Sequence, residues 1–359
     1  MNDTSRKITE EGGIAERLGQ LRGVIQSGRR LIIFLHHNPD PDAIAAGWFL
    51  AELAASVGVR YRILYSGNIN RAENRAMVQL LKAPLHQLDS PKETLRFLKS
   101  DRYALVDTQP GVGNNAFPVG KKQCHIVIDH HPDQTSQPLS FKDIQPDLGC
   151  CVTMLLHYYR AAKLVPSSNL ATAGAYAIIS ETQDLGREAT RQDQEALQFL
   201  IPNVRWTVLG RIRHPSRTRD YYRTVARAMQ RVMISRNTCI CHIGKIDTPE
   251  MVAEVADLLV AMERITGCLV TGCYEKLIPI SIRTTHKRGN AERIMKRMLG
   301  KQGTGGGHGM IAGGVMPCQS NEVYSLRSEQ LSKRFTRLLR RKHSDPFKPL
   351  LDDEDIQSP

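Results

Sequence analysis

The chain has 359 residues, 41% of them apolar and 24% charged, with a formal net charge of +13. That length suits two domains plus tails with ample chain for a buried core, and the composition is ordinary for a soluble globular protein. The longest aliphatic runs, such as LIIFL at 31–35, are strand-sized and far too short to span a bilayer.

The start, MNDTSRKITEEGG, lacks the apolar stretch of a secretory signal, so a cytoplasmic location is expected, with no membrane partner. The positive charge favours anionic partners, phosphates or nucleic acid, and says nothing of fold. Eight cysteines include no CxxC pair; Cys150 and Cys151 are adjacent, and Cys239 and Cys241 alternate on a strand pattern. Buried reduced thiols are therefore preferred to a zinc site built from Cys239, Cys241 and His242.

Residues 1–13 read as a disordered lead-in, and 14–28 as an amphipathic helix with Ile14, Leu18, Leu21 and Ile25 on one face. Strands are then expected at 31–35, 61–65, 103–107 and 125–129, with a helix over 43–57 closed by Gly58 and two more at about 149–163 and 168–181. Strands apolar throughout and separated by helices indicate a parallel sheet covered on both faces. The Arg- and Gln-rich stretch 187–225 suits a linker helix and turn.

A second α/β unit follows. It has a strand at 238–246, a helix capped by Thr248 with Pro249 at its first position, and strands in GCLVTGCY and LIPISIRTT. A helix near 291–299 leads into the glycine-rich GTGGGHGMIAGG, and the tail from 331 carries the basic helix KRFTRLLRRK before the acidic LDDEDIQSP. The domain limits so predicted are 1–13, 14–190, 191–230, 231–328 and 329–359.

Four stretches place acids or imidazoles just past an apolar run: HHNPDPD at 36–42, VDT at 106–108, IDHH at 128–131 and TQD at 182–184. Strand ends of an open parallel sheet meet at one crevice, so such distant residues can converge. Carboxylates with imidazoles suit a pair of hard-to-borderline divalent cations. Taken singly, each has a plainer explanation: Asp42 as a helix N-cap, Asp107 as a turn residue, Asp184 as the end of a helix before Gly186. The run Gly305, Gly306 and Gly307 lets backbone amides approach an anion, with His308 beside them, though glycine-rich stretches are usually flexible loops. Arg283 offers a planar fork for phosphate.

HxNPDxD, D, DHH and D in this order resemble the DHH phosphoesterase superfamily. The GGGH stretch and the arginine-bearing IPISIRTT are similar to its C-terminal DHH-associated domain. The resemblance spans roughly 15–325 and implies an N-terminal parallel-sheet DHH domain plus a smaller C-terminal α/β substrate-binding domain, with a cleft between them. It implies metal ligation by His36, Asp40, Asp42, Asp107, His130 and Asp184, with Asp107 bridging. His37 falls at the variable position of the motif. Asp129 is implied to orient His130, and His131 to meet the scissile phosphate. Arg283, the three glycines and His308 are implied to hold substrate. Pro41 stands where the family usually has Gly, and Leu185 where Thr often follows the last aspartate.

The implied cofactors are two divalent cations, Mn²⁺ first, with Mg²⁺ or Co²⁺ as alternatives. The implied activity is hydrolysis of short oligoribonucleotides or adenosine 3′,5′-bisphosphate. Cyclic-dinucleotide phosphodiesterases and single-strand exonucleases share the same core, and a non-catalytic nucleotide or nucleic-acid binding module is the alternative of a different class. A homodimer is allowed as the assembly.

Overall fold

A computed structural model describes residues 3–186, 189–285, 290–339 and 346–351. The chain divides into two compact units, Met1–Ser216 and Arg217–Pro359.

The first unit begins with α1 (Asp3–Gln26), β1 (Arg30–Phe34), α2 (Pro41–Ser56), β2 (Arg60–Tyr65), α3 (Ala72–Leu81) and β3 (Leu85–Gln87). It continues with β4 (Arg102–Val106), β5 (Ile126–Asp129), β6 (Phe141–Ile144), α4 (Cys151–Ala161), α5 (Ser168–Glu181), α6 (Arg191–Leu200) and α7 (Trp206–Arg213). The six strands are parallel in the order β3-β2-β1-β4-β5-β6. The chain therefore builds outward from β1 to one side, then returns to β4 and builds to the other. Along β1 and just past it the side chains alternate: Leu31, Ile33 and Leu35 join the large core with Phe49, Leu50 and Leu155. Ile32 and Phe34 face the opposite core with Phe97, Tyr103 and Phe117. Both faces are thus dry, which is why the strands read as continuous apolar runs.

The second unit comprises α8 (Arg219–Met229), β7 (Val232–Ser235), β8 (Thr238–Lys245), α9 (Met251–Val260), β9 (Gly267–Cys273) and β10 (Leu277–Thr284). It ends with α10 (Ala291–Leu299), β11 (Thr304–His308), β12 (Ile311–Pro317), α11 (Asn321–Leu338) and the short β13 (Lys348–Pro349). Its mixed sheet runs β11-β12-β10-β9-β8-β7-β13, with β8 and β9 the parallel pair. One face packs Ile278, Ile280 and Ile282 against Met295, Met298 and Phe335. The other packs Cys239, Cys241 and Ile243 against Val252, Val255 and Leu259.

Several expectations need correction. Helix α1 starts at Asp3 instead of near Ile14, its polar lead-in containing the good helix formers Lys and Glu. The supposed linker at 191–230 is ordered: α6 and α7 belong to the first unit and α8 to the second. Helix α9 starts at Met251, not at Pro249, because Met251 and Val252 first donate to the Thr248 and Pro249 carbonyls in tight turns. The first residues of the C-terminal basic stretch, 333–338, end a longer helix, α11, capped by the Ser320 hydroxyl, which accepts from Val323 N, and 340–342 lie outside the described residues. Strands β3 and β6 were not foreseen, being only 3 and 4 residues long, too short for a period to show. Most of the acidic tail, 352–359, lies outside the described residues.

Candidate metal centre

The key side chains stand where strands of the parallel sheet end. Beyond β1 come Leu35 and His36, beyond β4 comes Asp107, and β5 ends at Asp129 with His130 and His131 following. Strands β1 and β4 are neighbours although two other strands intervene in sequence. Their carboxyl ends therefore flank the point where strand order reverses, the place where open α/β sheets bind ligands.

Asp40 and Asp42 divide the work at the start of α2. Asp40 is the N-cap, its Oδ1 accepting from Ala43 N at 3.0 Å, and Pro41 occupies the first helical turn. Pro41 is thus a good residue for its place, since the amide it lacks has no partner there. Asp42 is not the cap of its own helix. It turns inward, 1% exposed, and its two oxygens accept from Cys151 N at 2.6 Å and Val152 N at 2.9 Å. Those amides open α4, whose own N-cap residue, Cys150, makes no side-chain cap bond. Asp193 secures the same turn, accepting from Gly149 N, Thr153 Oγ1 and Thr190.

Asp107 sits at the centre, 3% exposed, with its backbone in the left-handed region at φ 57°. Such a conformation costs on the order of 1 kcal/mol for a non-glycine residue and aims the carboxylate into the crevice. Its Oδ2 lies 3.5 Å from His36 Nε2, and its Oδ1 lies 3.4 Å from His130 Nε2. Asp40 Oδ2 is 3.7 Å from the first imidazole, and Asp42 Oδ2 is 3.9 Å from the second. Both imidazoles are fixed from behind: His36 Nδ1 donates to the His37 carbonyl at 2.8 Å and His130 Nδ1 to the Leu148 carbonyl at 3.2 Å. A carbonyl can only accept, so both rings must carry the proton on Nδ1, and when neutral they present the Nε2 lone pair inward.

Two donor groups result, His36 with Asp40 and Asp107, and Asp42 with Asp107, His130 and Cys151; within each, the donor atoms lie within 4.8 Å of one another. A third group, Asp107 with Asp129 and His131, adjoins them. The chemistry of this set fits divalent cations, because carboxylates and neutral imidazoles are held ready by hydrogen bonds behind them.

Without cations, protons balance the charge. Burial pushes the Asp107 carboxyl up, but hydrogen bonds to His130 and His36 outweigh it and hold the group far below the usual carboxylate range. Burial lowers His36 and His130, yet bonding to Asp107 raises both well above the ordinary imidazole value. Burial, then the neighbouring Asp107 charge, pushes Asp42 well up. Asp107 keeps its charge beside two imidazoles that hold their protons, and cations would replace those protons.

His131 differs. Asp129 Oδ1 accepts from its Nδ1 at 2.9 Å and its backbone N at 3.1 Å, and Gln109 Nε2 holds the other Asp129 oxygen at 2.8 Å. The expectation that Asp129 orients His130 is therefore corrected: Asp129 orients His131, while the Leu148 carbonyl orients His130. The His131 imidazole is half-exposed, and its bond to Asp129 raises its pKa.

Of the residues expected at the site, His36, Asp40, Asp42, Asp107, Asp129, His130 and His131 come together. Asp184 does not. It stands in a run of left-handed residues from Gln183 to Leu185, 65% exposed, with its carboxylate 2.8 Å from Arg213 Nη2. The acid at the end of α5 whose charge reaches His130 is Glu181, half-buried, which helps raise that imidazole. Sequence reasoning passed over it because SETQD offers two acids and only the second is an aspartate, although it is Glu181 that a Thr follows. Cys151 was also missed; its Sγ lies 3.6 Å from Asp107 Oδ1, and an adjacent cysteine pair without CxxC spacing gives no metal signal.

In the second unit, Arg283 is 5% exposed and engaged, donating from Nε to Asp257 Oδ1 at 2.5 Å and from Nη1 to Ser281 Oγ at 2.7 Å. An open phosphate fork is not what it presents. The glycine run is strand β11, paired with Ala312, Gly313 and Gly314 of β12, and not a loop. A Cβ at Gly305 would press on Leu299 and one at Gly307 would collide with the Ile311 carbonyl, so hairpin packing requires glycine at both. His308 closes β11, and its side chain lies outside the described residues. His242 bonds Thr271 Oγ1 and Ser332 Oγ, and no metal-donor group among the described residues includes it.

Residues 30–178 match the DHH family, N-terminal domain. An uncharacterized protein of Methanocaldococcus jannaschii is 30% identical over 327 residues, 87% of this chain and 66% of that protein. A protein of Deinococcus radiodurans, named as a probable manganese-dependent inorganic pyrophosphatase, is 29% identical over 176 residues, 48% of this chain and 53% of that one. The chain thus spans less than two thirds of the length of these curated relatives. Among solved structures, an exopolyphosphatase-related protein from Bacteroides fragilis superposes with a TM-score of 0.70 over 90% of this chain and 98% of its own, at 13% identity, which shows a shared fold. No helix among the described residues is long and apolar enough to cross a membrane. The donor residues from His36 to Cys151 all fall within residues 30–178, the stretch that matches the DHH family, N-terminal domain.

Proposed function

We propose that the protein is a divalent-cation-dependent phosphoester hydrolase acting on short oligoribonucleotides or adenosine 3′,5′-bisphosphate. The observation that carries this is Asp107, whose two oxygens each face a different imidazole, one backed by Asp40 and the other by Asp42. A single carboxylate shared between two donor groups suits two cations, Mn²⁺ first and Mg²⁺ or Co²⁺ next, in keeping with imidazole and carboxylate donors. Divalent cations bound to such a set supply Lewis acidity toward phosphoryl oxygens and make water nucleophilic at neutral pH.

The proposed ligands are His36, Asp40, Asp42, Asp107 and His130, with Glu181 taking the part first expected of Asp184. Asp107 fixes the separation of the two donor groups, and Asp42 ties one of them to the rigid start of α4. His131, held by Asp129, is oriented to donate from Nε2 to a phosphoryl oxygen. The second unit is proposed to bind substrate, on the resemblance of its glycine–histidine stretch.

A second reading, hydrolysis of inorganic pyrophosphate, is favoured by the manganese-dependent pyrophosphatases named among the relatives at 28–29% identity. Purified protein in Mn²⁺ should be offered a dinucleotide, adenosine 3′,5′-bisphosphate, a cyclic dinucleotide, a long single strand and pyrophosphate. Faster turnover of the first two supports the proposal. Preference for pyrophosphate moves it to the second reading, and no turnover of any of them in Mn²⁺, Mg²⁺ or Co²⁺ makes the protein a binding module.

A further inference from the structure

Beyond the carboxyl ends of β1, β2 and β3, on the same edge of the sheet as the donor cluster, the first unit holds a 430 Å³ cavity that the hydrolase reading leaves unused. Its size falls in the range of small-molecule sites, which run from about 300 to 1,000 Å³. His37 and Ser66, following β1 and β2, form part of its wall, and the loop after β4 closes it with Asn115, Phe117 and Val119.

The inner wall continues into the metal centre. His37 is bonded in sequence to the donor His36, and Asn115 forms a backbone bridge with His36. Through Nδ2, Asn115 also donates to Thr108 Oγ1 at 2.9 Å, next to Asp107. The cavity thus adjoins the metal centre through His37 and Asn115.

The lining has two chemistries. Phe117, Pro118 and Val119 make one side apolar, and Val119 is 52% exposed although it is a large aliphatic residue. Lys92 and Lys121 stand exposed at the rim and supply positive charge. An apolar wall with two ammonium groups at its edge matches a flat heterocycle on a sugar carrying an extra phosphate. It does not match inorganic pyrophosphate, which has no apolar surface to gain from Val119.

We infer that this cavity is a nucleoside phosphate subsite, seating base and sugar against Phe117, Pro118 and Val119 with the non-reacting phosphate near Lys92 and Lys121. The inference deepens the proposed hydrolase activity and supplies its preference for nucleotides over pyrophosphate.

The test measures calorimetric binding of adenosine 5′-monophosphate to the full-length protein in EDTA, where no turnover occurs. Val119→Asp and the double variant Lys92→Ala/Lys121→Ala alter exposed side chains, and unchanged thermal melting verifies their folding. Each should weaken binding by about tenfold or more, while inorganic phosphate alone should bind much more weakly than the nucleotide. With Mn²⁺ present, both variants should raise KM for a dinucleotide more than for pyrophosphate. Equal affinity of wild type and both variants, or no binding by wild type at about 1 mM nucleotide, overturns the subsite. Inorganic phosphate competing as well as the nucleotide would reduce it to an anion site and likewise overturn the nucleoside assignment. Because binding is read in EDTA, absence of turnover would sink the hydrolase proposal while leaving the subsite separately measured.

Discussion

Asp42 lies in the first turn of α2, yet its carboxylate accepts from the backbone amide of Cys151, the residue that opens α4, at 2.6 Å. One side chain thereby joins two helix N-termini and faces His130. Helix N-termini favour negative charge, so these amides favour the charged acid against the burial and the Asp107 charge that push its pKa up.

Two variants separate these roles. Asp42→Ala should cost about 2 kcal/mol or more of stability, because buried amides lose their acceptors, and should lower metal content as well. Asp42→Asn keeps one oxygen for the amides and should recover much of the stability but little of the metal. If both variants melt like wild type in chemical denaturation, the capping role is wrong.

Replacing Asp107 by Ala should abolish turnover in Mn²⁺, since both donor groups lose a ligand at once. Retention of more than about a tenth of the wild-type rate would contradict a shared carboxylate, whose loss should cost several kcal/mol of transition-state stabilisation.

Glu181 and Asp184 provide a direct comparison. Asp184 pairs with Arg213 at the surface, and exposed pairs of this kind contribute about 0–1 kcal/mol. Asp184→Ala should leave Mn²⁺ content and rate within about twofold of wild type. Glu181→Ala, which removes a charge that acts on His130, should lower both. Metal analysis showing the reverse order would return the ligand role to Asp184.

His242 makes stability depend on pH. Burial lowers its pKa to about 4, below the ordinary 6.5, while Thr271 and Ser332 hold the ring. The unfolded chain takes up the proton first as pH falls, so the contribution is complete above about 6.5 and is lost as pH drops toward 4. The full difference is up to about 3 kcal/mol. Hydrogen exchange of β8 and β9 amides should therefore quicken across that window in wild type, and less in His242→Gln. Equal pH dependence of the two proteins would remove His242 as the cause.

Much of the first unit was legible because its physics is local. Apolar runs such as LIIFL name buried strands, and DHH after IVID names acids and imidazoles at a strand end. The start of α2 was read two residues late: the cap is Asp40 instead of Asp42, and Pro41, suited to a first helical turn, opens the helix. The short edge strands left no such trace, since three or four residues carry no period.

The sequence by itself placed the acids and imidazoles from His36 to His131 at the carboxyl edge of a parallel sheet. Tertiary structure decided how they are shared. That Asp42 caps α4 instead of α2, that Asp129 serves His131 instead of His130, and that Asp184 turns to Arg213 all depend on side-chain direction. Direction is set by packing between segments up to about a hundred residues apart, as Asp42 and Cys151 are at a sequence separation of 109. Arg283 and the glycines of β11 make the same point, because burial and close hairpin packing gave them partners that no local pattern could reveal.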